Sequence, residues 1–67
     1  MPDLENTYTY HAPKGDQIQR YQKIRDTVRS VAEMIETECP PSRERSLAFT
    51  KLEEAVMWAN ASIARNE

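Results

Sequence analysis

Tyr8, Tyr10 and Lys14 lie near the start of the chain, and Lys23, Arg25 and Thr27 follow, so aromatic rings alternate with cations and a hydroxyl. These groups suit a nucleotide. A tyrosine face stacks on any base, while ammonium, guanidinium and hydroxyl donors satisfy phosphate oxygens. The same composition also describes an ordinary solvated helix face, and composition alone does not separate the two.

Catalytic material is scarcer. His11 is the single histidine, with no adjacent nucleophile and orienting carboxylate to make it a base, so a packing or hydrogen-bonding role is expected. Cys39 precedes two prolines without a reactive motif around it and reads as a buried structural thiol. Glu53 and Glu54 are consecutive, which on a helix sets them about 100° apart and prevents them from working as an acid–base pair. One cysteine and one histidine cannot make an all-Cys/His zinc site, and no cofactor is implied. The chain is expected to bind rather than to catalyse.

A further cluster is Ser42, Arg43 and Arg45. The two arginines open a helix, where the dipole favours anions, so their charge needs compensation. Pairing with Glu36 and Glu38 across the turn would supply it. The less favoured alternative is an anion held by Ser42, Arg43, Arg45 and the free helix amides.

Positioning such groups is the task of a small scaffold. At 67 residues a lone core barely offsets the entropy of ordering the chain, and a single cysteine excludes an internal disulfide. Oligomerisation is the remaining aid. Residues 1–15 hold Pro2, Pro13 and the only glycine, Gly15, and read as an ordered arm whose tyrosines pack on something. Asp16 stands three before Gln19, the capping-box spacing, and predicts a helix over 16–38. Its seam is Tyr21, Ile24, Val28, Val31 and Ile35.

Pro40 and Pro41 end that helix, residues 39–42 make a turn, and Ser42 can cap a second helix over 43–66. Ala48, Leu52, Ala55, Ala59 and Ile63 form the second seam. So short a connection makes the helices antiparallel. The expected fold is all-α: a single-domain, antiparallel two-helix hairpin with an ordered N-terminal arm, assembling into a homo-oligomer. Phe49, Val56, Met57 and Trp58 lie beyond the seam and exceed what one partner helix covers, which is the second reason to expect assembly.

Net charge is −2 with both signs interspersed, so no one-signed basic face exists for long nucleic acid, although a few converging cations would suffice for a small anion. No apolar stretch reaches membrane-spanning length, and Met1-Pro2-Asp3-Leu4-Glu5 lacks the basic and apolar regions of a signal peptide. A cytosolic location is expected.

The run Cys39-Pro40-Pro41-Ser42-Arg43-Glu44-Arg45-Ser46 is followed by Thr50-Lys51-Leu52-Glu53-Glu54-Ala55-Val56-Met57-Trp58-Ala59-Asn60-Ala61 and by Ile63-Ala64-Arg65-Asn66. With Tyr10-His11-Ala12-Pro13, these residues resemble the hairpin domain of phage anti-CBASS and anti-Thoeris sponges, over roughly residues 10–66. The resemblance implies a compact homo-oligomer, expected to be a hexamer. It would bind cyclic dinucleotides such as cyclic GMP-AMP, and in some members cyclic trinucleotides, without cleaving them. Working in the cytoplasm of the infected bacterial host, it would deny the signal to its effector. So short a chain resembles the anti-CBASS branch more than the relatives that bind cyclic ADP-ribose isomers.

Carried onto this sequence, the resemblance makes Tyr10 or Tyr8 the base-stacking residue. Lys23 or Arg25, with Thr27, would hold phosphates at a subunit boundary. Arg65 is the candidate for a separate trinucleotide site. The competing reading from another class is a hairpin that docks on a protein partner with no small ligand. Ligand capture discriminates between them.

Overall fold

A computed structural model describes residues 14–67. Two helices, α1 (Gln17–Glu38) and α2 (Arg43–Asn66), pack against each other as a hairpin, and no strand occurs among the described residues. Tyr8, Tyr10, His11 and the rest of the expected arm before Lys14 lie outside the described residues.

The chain enters α1 through a tight turn in which Gln17 N–H donates to Lys14 O at 2.9 Å. Gly15 occupies the first central position with φ +51°, a left-handed geometry for which glycine is the cheapest residue. The capping box expected of Asp16 and Gln19 does not form, since Asp16 makes no side-chain cap hydrogen bond. Its backbone (φ −90°, ψ 9°) is not in the extended conformation that aims a cap's side chain back at the helix amides. Gln17 Oε1 instead accepts from Lys14 N–H at 2.9 Å, and the Asp16 carboxylate lies 3.2 Å from Arg20 Nε.

At the other end of α1, Cys39 is extended (φ −110°, ψ 133°), as a residue before proline must be. Its thiol is exposed, which corrects the expectation of a buried one: the extended turn carries Cys39 off the helix–helix seam. Ser42 then caps α2, its Oγ accepting from Arg45 N–H at 3.1 Å and donating to Pro40 O at 3.1 Å.

The last turn of α1 holds no basic residue of its own. Arg45 of α2 supplies one, its Nη1 donating to Glu36 O at 3.3 Å and to Cys39 O at 3.2 Å. Its guanidinium lies 5.6 Å from the Phe49 ring centroid. The charge of Arg45 is thus compensated by backbone carbonyls at the negative end of the α1 dipole, not by the carboxylates of Glu36 and Glu38.

Tyr21, Ile24, Val28 and Ile35 are half-buried, and so are Ala48, Leu52, Ala59 and Ile63. Two seam positions shift by one residue. Ala32 is half-buried where Val31 was expected, and Val56 where Ala55 was expected. The rows advance 24, 28, 32 and 48, 52, 56 in successive steps of four, because a straight helix of 3.6 residues per turn drifts off a strict alternation of three and four. Phe49 and Val56, expected to need an outside partner, line the α1-facing side together with Val28 and Ala32. No apolar side chain among the described residues is fully buried, and Ile18, Met34, Met57 and Trp58 remain 54–62% exposed. Neither described helix is long and apolar enough to cross a membrane.

Candidate functional site

Because two helices cover each other along a single line, the flanks of the hairpin stay open, and a groove runs along each. The ridge between them includes Val28, which lines both.

One groove, about 460 Å³ in volume, is lined by Arg20, Lys23, Ile24, Thr27, Val28 and Ile63. Lys23 and Thr27 are four residues apart and share one face of α1. Arg20 stands three residues before Lys23 on the same flank. The floor is aliphatic, the rim carries two cations and a hydroxyl, and no carboxylate lines it.

The other groove, about 580 Å³, is edged by Arg25, Arg29, Glu33, Glu36 and Glu53, over a floor that includes Val28, Ala32, Phe49, Leu52 and Val56. Arg25 is two residues from Lys23, and a helix turns about 200° over that step, so the two cations serve opposite flanks. Of the residues singled out in the sequence, Lys23 and Thr27 therefore meet in one groove while Arg25 meets mixed charge in the other. Arg65 is half-buried on α2 and shares the face of exposed Trp58, seven residues away. That face lies about 200° from Ile63 and away from both grooves. Among the described residues, no group of three or more His, Cys, Asp or Glu side chains could hold a metal ion.

Local sequence marks only the Asp16–Arg20 pair of a further cluster at the open end of the hairpin. Arg20 Nη1 donates to Glu67 Oε2 at 3.0 Å, and Nη2 pairs with Glu67 Oε1. Gln17 Nε2 reaches the same carboxylate at 3.3 Å, and Lys14 Nζ lies 3.5 Å from Glu67 O. The hydrogen bond to the Glu67 carboxylate holds the Arg20 guanidinium above its ordinary pKa, against the opposing effect of burial and with further help from the charge of Asp16. Hydrogen bonds from Arg20 and then Gln17 hold the Glu67 carboxyl below the usual carboxylate range. Asp16, four residues before Arg20, was the one local hint, since i,i+4 pairs of opposite charge meet on a helix face.

A flat-sided hairpin of this kind fits many roles. Comparison with known proteins decides the family: the model of the Acb2/Tad1 hairpin domain matches residues 1–64. The chain belongs to that family. It is therefore a member of the anti-CBASS/anti-Thoeris sponges, a family whose general role is anti-defence sequestration of cyclic nucleotides. The match spans both grooves of the Acb2/Tad1 hairpin and takes in Tyr8, Tyr10, Lys23, Arg25 and Thr27, stopping just short of Arg65. No curated protein and no solved structure matches the chain.

Proposed function

We propose that the chain is a homo-oligomeric sponge that captures cyclic dinucleotides of the cyclic GMP-AMP kind in the cytoplasm of an infected bacterium and keeps them from CBASS effectors without cleaving them. The observation that supports it best is the groove of Arg20, Lys23 and Thr27, where cations and a hydroxyl rim an aliphatic floor. Such a rim holds phosphates by charge-assisted hydrogen bonds, and the floor accepts the flat face of a base. Tyr10 or Tyr8 is the proposed stacking partner. Arg65, on the outer face of α2, is the proposed anchor of a separate cyclic trinucleotide site.

The side chains offered support capture as the proposed activity. Guanidinium and ammonium groups offset phosphate charge and the hydroxyl adds a hydrogen bond, which is the chemistry of holding a phosphate. Assembly, with a hexamer as the proposed state, is supported by a hairpin whose apolar side chains are at best half-buried and whose Met57 and Trp58 are exposed. A chain in that condition gains stability by covering those faces with another copy.

The deciding experiment incubates the purified protein with a panel of cyclic di- and trinucleotides, removes unbound ligand, and releases the rest by heating. Intact ligand in the heated eluate is the expected result. Linear or hydrolysed products would reassign the protein as an enzyme, and an empty eluate across the panel would favour a hairpin that docks on a protein.

A further inference from the structure

The guanidinium that Arg20 contributes to the cationic groove is not idle: a carboxylate already holds it. We propose that Lys14, Gln17 and Arg20 form a phosphate-binding cradle, in which the Glu67 carboxylate takes the place of the phosphate until a ligand displaces it. The inference rests on the sponge reading and adds to it two binding residues, Gln17 and Arg20, and a built-in competitor.

Geometry carries the first part. Both terminal nitrogens of Arg20 face the Glu67 carboxylate, Nη1 to Oε2 at 3.0 Å and Nη2 to Oε1. This planar fork recognises a carboxylate and a phosphate with the same pair of donors. Gln17 adds a third donor at 3.3 Å and is a fixed one, only 5% exposed. Its Oε1 accepts from Lys14 N–H, so its Nε2 is left to face the anion. Lys14 Nζ, 3.5 Å from Glu67 O, adds a positive charge beside the same point. Asp16 engages Arg20 on the Nε side at 3.2 Å, which steadies the side chain while leaving Nη1 and Nη2 to the anion.

Position carries the second part. Arg20 lines the groove with Lys23 and Thr27, so a phosphate on that rim comes within reach of the same guanidinium. Glu67 lies just beyond Asn66, the last residue of α2, and can leave without unwinding a helical turn. The pair is partly exposed, 37% for the Arg20 side chain and 42% for Glu67, and exposed pairs are weak enough to be exchanged for a better anion. Glu67 thereby sets a threshold, sparing Arg20 from weakly held anions and yielding it to a ligand that engages Lys23 and Thr27 as well.

The test titrates cyclic GMP-AMP into the parent chain, Glu67→Gln and Arg20→Gln by calorimetry, with circular dichroism to establish that each is folded. Glu67→Gln keeps the shape but not the charge and should bind tighter by roughly two- to fivefold, the range an exposed ion pair can contribute. Arg20→Gln should bind more weakly than the parent. A parent that binds, together with a folded Glu67→Gln of equal or lower affinity, overturns the competitor while leaving the sponge reading intact. Should the parent bind no cyclic dinucleotide, the sponge reading fails and pyrophosphate decides the cradle. A shift of the Arg20 Nε–H resonance, at lower pyrophosphate in Glu67→Gln than in the parent, supports it, and no shift overturns it.

Discussion

The side chain of Arg45 completes a helix to which it does not belong: from the first turn of α2 its Nη1 donates to Cys39 O at 3.2 Å, closing the end of α1. Arg45→Ala removes this cap, the bond to Glu36 O and the stacking on Phe49 at once. A charged hydrogen bond and a cation–π contact at a partly exposed site together make a loss of about 1–2 kcal/mol the expected outcome. Arg45→Lys, without the planar fork, should restore only part of it. Urea denaturation followed by circular dichroism measures both, and an unchanged midpoint for Arg45→Ala would refute the cap.

Ser42 performs the matching task for α2, accepting from Arg45 N–H at 3.1 Å. Ser42→Ala should cost about 1 kcal/mol, whereas Ser42→Asp should be nearly neutral because the carboxylate can accept the same bond. Equal losses in the two variants would mean that the bond to Pro40 O, which only the hydroxyl can donate, matters more than the cap.

Acid should loosen the open end of the hairpin in a defined window. Arg20 and Gln17 depress the Glu67 pKa, so the folded state binds fewer protons there than the unfolded state. The stabilisation is complete above the ordinary glutamate range and disappears as pH falls through the depressed value. Melting temperatures of the parent and Glu67→Gln from pH 7 to pH 3 should therefore converge toward the acid end. A constant difference across that range would show that Glu67 titrates normally.

The opposite placement of Lys23 and Arg25 makes the two grooves separable by mutation. Lys23→Glu should weaken cyclic dinucleotide capture at least tenfold by replacing attraction with repulsion on a rim that also holds Arg20 and Thr27. Arg25→Glu should weaken it less, because its groove already contains Glu33, Glu36 and Glu53. Tyr10→Ala removes the proposed stacked ring, worth about 1–3 kcal/mol. Calorimetry gives the ranking, and a larger effect for Arg25→Glu than for Lys23→Glu would move the site to the other flank.

Assembly is open to a direct check. Multi-angle light scattering at micromolar concentration should return a mass several times that of the 67-residue chain, and Trp58→Glu, at a side chain 61% exposed in the hairpin, should lower it. A folded monomer would sink the oligomer and any pocket built between copies.

The hairpin itself was legible in the sequence because its signals are local: a proline pair that cannot continue a helix, a serine that can start one, and apolar residues at helical spacing. Val31 and Ala55 were misplaced in the seam for a physical reason. A helix of 3.6 residues per turn drifts off a pattern of threes and fours, so Ala32 and Val56 take the half-buried places. Asp16 has the cap-forming side chain but not the cap-forming backbone, which only the turn at Gly15 determines. Lys23 and Thr27 could be paired from their spacing of four, and their separation from Arg25 follows from the same rule, although composition groups all three. Glu67 was illegible, since its partner Arg20 lies 47 residues away and nothing in either neighbourhood marks the pair.

The two ends of the hairpin are fastened by different chemistry. Covalent continuity through Pro40 and Pro41, with carbonyls capped by Arg45, closes one end, while an ion pair between Arg20 and Glu67 closes the other. Screening by dissolved ions shrinks the second fastening and leaves chain connectivity untouched. Rising ionic strength should therefore part the helices from one side only, with amide hydrogens near Arg20 and Ile63 exchanging first, and with the proline turn as the pivot on which they open.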